Sequence, residues 1–153
     1  MAISDFHAST IVRVRAYFGF DSFECDPDAI TRFIGIQPDE VGLKGAVKTV
    51  HGVREIRWPF NSWSLASRLE SKDVNEHLRE LIDRLSHVGD TFPTEFGEPS
   101  FSVLWKGNYL YAGSGPFFEA NVIAGIARLK AALYQDIYQV DQGPEEGDPA
   151  NAG

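Results

Sequence analysis

His77 is the side chain with the most chemistry to offer. It stands in D-V-N-E-H-L-R-E-L, beside Leu78 and one turn before Leu81, at the edge of an apolar helical stripe. Imidazole titrates near neutrality and could act there as a general base. The same place suits a half-buried histidine that donates one hydrogen bond to tie a helix to a sheet. No nucleophile or orienting acid is written beside it. Trp63, in W-S-L-A-S, is the aromatic expected to face it across that contact. Lys44, between Leu43 and Gly45, could meet a carboxylate or a phosphate, or lay its stem over an aromatic such as Trp63 while Gly45 makes a left-handed turn. Asp136 interrupts the strand-like run L-Y-Q-D-I-Y-Q-V. It either faces solvent or pairs with Arg13 or Arg15 if the last strand neighbours the first. Lys44, Trp63, His77 and Asp136 are therefore the candidate binding residues, and no residue is assigned a catalytic role.

Other chemistry is thinner. His7, His51 and His87 show no ligand spacing, and H-x-H, H-E-x-x-H and C-x-x-C are absent, so neither a metal nor a cofactor is expected. Cys25 precedes Asp26 at a helix start, a place that lowers a thiol pKa. With no partner signature it reads as a small, partly buried residue. Gly113-Ser114-Gly115 has the look of a phosphate loop but lacks the full glycine pattern and a following lysine.

The elements that must position these residues follow from periodicity. Residues 1–9 read as an irregular arm. Ile11 to Phe20 alternates as a half-buried strand. Asp26 and Pro27 start a short helix with Ile30, Phe33 and Ile34 buried, which Gly35 and Pro38 end. Val41 to Gly45 is brief and extended, and Ala46 to Arg54 is a looser connection. Glu55 to Ser67 is extended, with Pro59 calling for an edge or a bulge. Asp73 to Ser86 is the strongest amphipathic helix, Asp73 and Glu76 resembling a capping box, with Lys72, Glu80, Asp83 and Arg84 toward water. After a loop at 87–98, Ser100 to Leu110 alternates again. A helix over Phe117 to Lys130 and a strand over Leu133 to Val140 complete the order β-α-β-β-α-β-α-β. This is an α+β fold, a mainly antiparallel sheet with helices on one face, of ferredoxin-like order with an added helix and strand. Residues 10–140 are expected as a single domain and 141–153 as a disordered acidic tail.

The order of D-P-D-A-I-T-R-F-I-G-I-Q-P, L-K-G, W-S-L-A-S, E-H-L-R-E-L-I-D-R-L and a late D-I-Y resembles a bacterial family known as domain of unknown function 4279. The matching positions are Gly35, Pro38, Lys44, Gly45, Trp63, Ser64, His77, Leu78, Asp136 and Tyr138. The resemblance implies a small cytoplasmic bacterial α+β protein and brings no catalytic residues with it. The W-P-F-N segment and the acidic tail look like additions of this chain.

Composition narrows the function classes. The chain has 153 residues, 43% of them hydrophobic, and a net charge of −8, which suits a globular domain with a real core. Four of the negatives fall after Val140, leaving −4 on the rest. An acidic chain without clustered Lys and Arg is not built to neutralise nucleic-acid phosphates. No apolar run is long enough to span a membrane, no signal peptide is evident, and one cysteine permits no internal disulfide, so a cytoplasmic place is expected. Two main functions remain, beside a purely structural subunit that would show a large hydrophobic patch and form a stable oligomer. One is a non-enzymatic module of the immunity or regulatory kind that binds a basic protein partner. The other is a small-molecule-binding protein or enzyme with a pocket near Trp63, His77, Lys44 and Asp136.

Overall fold

The structure is a computed structural model that describes residues 11–50, 52–107 and 117–139. The strands are β1 (Ile11–Asp21), β2 (Glu40–Gly42), β3 (Val47–Val50), β4 (Arg54–Arg57), β5 (Ser62–Ala66), β6 (Pro99–Gly107) and β7 (Ala132–Gln139). The helices are α1 (Pro27–Ile34), α2 (Val74–Arg84) and α3 (Ala120–Arg128). Five strands form one sheet in the order β2-β5-β1-β6-β7, antiparallel except for the parallel β6–β7 pair, and β3 and β4 form a separate hairpin. This is an α+β fold.

Alternation along β1 decides the layers. Val14, Ala16, Phe18 and Phe20 are buried, as are Trp63 and Leu65 on β5 and Phe101, Val103 and Trp105 on β6. Against this face lie Ile30 and Ile34 of α1, Val74, Leu78 and Leu81 of α2, and Val122 and Ile126 of α3. All three helices therefore cover the same side. The other side of the sheet carries none of them.

Local signals set the ends. The Asp26 carboxylate accepts from the Asp28 N–H (3.0 Å), and Gly35 closes α1 in the left-handed region at φ 76°, its N–H donating to Thr31 O. At α2 the Asp73 carboxylate accepts from the Asn75 N–H (2.9 Å). The capping box does not close: the Asp73 N–H donates to Ser71 Oγ, not to Glu76.

Several expectations are corrected. The extended run 55–67 is two strands, because Pro59 cannot donate to a ladder and the chain breaks from Trp58 to Asn61. The connection at 46–54 is largely hairpin. The chain order thus has two more strands than expected. The last helix starts at Ala120, after Phe117 and Phe118. Phe33 is 44% exposed and meets the Phe92 ring at a tilt and the Phe96 ring edge to face. Arg84 points inward, donating to Ala66 O (3.0 Å) and to Glu80 (3.3 Å). The arm, His7, His51, Gly113-Ser114-Gly115 and the tail lie outside the described residues. No helix among the described residues is long and apolar enough to cross a membrane.

Candidate functional site

The four residues singled out from the sequence do not share one cavity. His77 is fully buried; its Nδ1 lies 2.6 Å from Ser67 Oγ and its Nε2 lies 2.7 Å from Ser71 O. A carbonyl only accepts, so Nε2 carries a proton, and in the neutral ring Nδ1 accepts from the Ser67 hydroxyl. Ser67 Oγ also accepts from the Ala16 N–H (3.3 Å). His77 is thus bonded between the end of β5, the turn before α2 and the central strand. Trp63 is equally buried, and its indole N–H donates to Thr31 Oγ1 (2.9 Å), joining β5 to α1 rather than facing His77. Lys44 is exposed beyond β2, its N–H held by Asn61 Oδ1 (2.8 Å). Asp136 is exposed on β7, paired with Leu104 of β6. Since β6 separates β7 from β1, the strand of Arg13 and Arg15 is not its neighbour. Among the described residues no three His, Cys, Asp or Glu come together as a metal site requires. Cys25 has its thiol pKa raised, first by burial and then by the Glu95 carboxylate, so the helix start does not activate it.

What the fold does assemble is a groove of about 580 Å³ on the helix-free side of the sheet. Register builds its floor. Gly19 of β1 pairs with Ser64 of β5 and with Ser100 of β6, while Asp21 pairs with Ser62 and Tyr17 with Ser102. Each of these is one residue away from a core residue, so each faces out of the open side. Four serines around a glycine give a low, polar floor. Among the described residues none of their four hydroxyls, nor the Asp21 carboxylate, has a hydrogen-bond partner in the protein. Burial raises the Asp21 carboxyl pKa above its ordinary value.

The wall is aromatic. The Trp58 ring lies directly on Gly42, where a Cβ would collide with the ring. Lys48 Nζ sits 4.7 Å from the centre of that ring and pairs with Glu40 at 3.2 Å. The Trp58 backbone extends the hairpin's bonding, donating to Ala46 O and accepting from the Gly45 N–H, both at 2.9 Å. Phe60, 39% exposed, completes the wall. Asn61 braces the turn behind it by donating to Phe23 O (2.7 Å). The rim carries Glu40, paired with Lys48, and Asp39, whose carboxylate accepts from the Ala66 N–H (2.7 Å), and Asp21 stands where the floor meets it. Lys44 lines a second hollow of about 330 Å³ that shares Phe60 with the first. His77 and Asp136 line neither.

Sequence reasoning passed over Tyr17, Asp21 and the four serines as parts of a site. The available signal was alternation: in S-W-S-L-A and S-F-S-V the serines fall opposite the large apolar residues. Small polar residues on the second face of a central strand pair leave that face open.

No curated protein and no solved structure matches the chain. The model of one family does match, over residues 12–140, which takes in every described strand and helix except the first residue of β1. The chain belongs to the family described as domain of unknown function (DUF4279).

Proposed function

We propose that the protein is a non-enzymatic binding module that holds a basic, extended segment of a partner protein in the groove on the open side of its sheet. The observation that carries this reading is the groove itself: hydroxyls with no partner among the described residues and a partly desolvated carboxylate, beside an aromatic wall. Main-chain amides of an extended segment suit the serine hydroxyls. Aliphatic stems of Lys or Arg suit Phe60 and the rest of the Trp58 ring beside Gly42 and Lys48, and their charges suit Asp21, since Glu40 is already paired with Lys48. Net acidity adds electrostatic steering toward such a partner. Covering a basic surface in this way is what a regulatory or immunity protein does.

Recovery of partners from the host on the tagged full-length chain tests the proposal. A stoichiometric basic protein is expected, bound less tightly as salt rises. Trp58→Ala is expected to weaken it by about 2 kcal/mol or more, roughly thirtyfold in affinity. Asp21→Asn is expected to weaken it less. A partner indifferent to both substitutions, or no partner at all, would overturn the assignment. The pocket reading around Trp63, His77, Lys44 and Asp136 would instead require a small molecule that co-purifies and is lost in His77→Ala while the fold survives.

A further inference from the structure

The far side of the molecule, where α3 and β7 end the sheet, poses a separate question. β7 pairs with β6 on one edge in an unbroken register from Ala132 to Gln139, and among the described residues its other edge has no strand beside it. Native sheets protect such edges with proline, lysine, a bulge or an overlying element. A-L-Y-Q-D-I-Y-Q has no proline and no basic residue, its pairing shows no bulge, and its single charge is Asp136. Leu133 packs against the core, but beyond it the strand is exposed on both faces: Tyr134 and Tyr138 are 60% and 56% exposed on the open side, and Ile137 is 36% exposed on the helix side.

The helix above continues the same surface. Gly125 of α3 faces α2, since a Cβ there would lie 2.8 Å from Ile82 Cδ1. Ile123 and Ala127 stand two residues before and after Gly125, about 160° around the helix from it, so they point away from α2 over the β7 side. Ile123 is 53% exposed. Ala120, Ala124 and Ala127 are exposed as well, and no acidic or basic residue falls between Ala120 and Ala127. An uncharged helix flank thus lies above an unprotected strand edge, in a chain whose net charge is −8.

We infer that this α3–β7 side is where a second copy of the chain docks, β7 against β7 in antiparallel fashion across a two-fold axis, with the α3 flanks meeting above. A second copy is the occupant that meets both features at once: it supplies an equally unpaired edge and an equally uncharged helix flank. The surface is self-complementary, as a two-fold interface must be. Residues related by the axis share a face, so the axis passes through a residue and not between two. Centring on Asp136 would oppose two carboxylates. Centring on Gln135 avoids this, sets Leu133 against Ile137 and Tyr134 against Asp136, and overlaps nearly the whole strand. The exposed Tyr134, Tyr138, Ile137 and Ile123 side chains supply on the order of 400 Å² per copy. The three alanines and the backbone edge extend this toward the roughly 800 Å² per partner of a stable interface.

Sedimentation of the full-length chain at about 50 µM tests the inference, with a dimer expected. Ile123→Glu and Ile137→Lys are each expected to raise the dissociation constant roughly tenfold or more while circular dichroism is unchanged. If Ile137→Lys disturbs β7 itself, Ile123→Glu, on an exposed helix flank, decides alone. Val53→Lys is the control, a like change at the hairpin tip, and it is expected to leave the dimer intact. A monomeric wild type at that concentration would overturn the inference. So would a dimer that survives both α3–β7 substitutions and yields to Val53→Lys.

Discussion

His77 has both ring nitrogens committed inside the protein, to Ser67 and to Ser71 O, so its role is to hold three segments together. His77→Ala leaves a cavity and an unpaired Ser67 hydroxyl and is expected to cost about 2–4 kcal/mol of stability in urea unfolding. Ser67→Ala removes one partner and is expected to cost about 1–2 kcal/mol. Neither substitution touches the groove, so partner binding by the folded fraction should not change. The sequence put His77 at the edge of an apolar stripe as a half-buried residue, whereas the fold buries it fully within that stripe. The sequence could not name Ser67, because that partner is fixed by the angle at which β5 leaves the sheet, which no periodicity encodes. Asp21 is the opposite case, a residue read only as the end of a strand. Its carboxyl holds a proton to higher pH in the folded chain than the ordinary 3.8. A raised folded pKa contributes stability that is complete below the unfolded value and is lost as pH rises through the folded one. Asp21→Asn therefore should gain stability relative to wild type as pH rises through and beyond the ordinary 3.8, and then run parallel once the folded carboxyl has ionised. Thermal unfolding across that range measures it, and an opposite slope would show that Asp21 is stabilised by a cation instead.

The hairpin β3–β4 and the Trp58 turn form the element on which the groove depends. Strand alternation and caps made β1, α1, α2, β6 and β7 legible to within a few residues, because each carries its own period and its own stop signals. The 46–61 stretch was not legible in the same way. Its strands are four residues each, with Val47 and Ile56 exposed, so burial imposed no clean pattern. Pro59 did announce the break, although not that Trp58 would turn back onto Gly42. That seating makes Gly42 the sensitive position. Gly42→Ala is expected to lift the Trp58 ring, separate it from Lys48, shift Trp58 emission and weaken partner binding about as much as Trp58→Ala. Fluorescence and a binding titration on the same variant check this, and unchanged emission with full binding would remove Trp58 from the wall.

At the scale of the whole molecule the sheet has one side for its core, one for a groove and, at β7, an edge with no strand beside it among the described residues. The groove's chemistry is ionic at its rim, whereas the α3–β7 flank is apolar with a single carboxylate, so salt should weaken partner capture and leave self-association nearly unchanged. The layer arrangement was readable from the sequence because the helices' apolar stripes and the strands' alternation agree on one buried side. The empty side was not, since serines facing nothing and serines facing solvent look alike in a sequence. The strand order has a further bearing on how the chain is made. β1 lies at the centre, between β5 and β6, and it holds Val14, Ala16, Phe18 and Phe20 of the core. It leaves the ribosome before any other described strand, yet β6 follows only about 80 residues later, roughly 4–16 s at usual rates of synthesis. Until β5 (Ser62–Ala66) is made β1 has no lasting partner, and its β6 edge stays unpaired for the whole interval. The nascent chain is then a natural substrate for holding chaperones, and its yield should depend on how quickly residues 99–107 arrive.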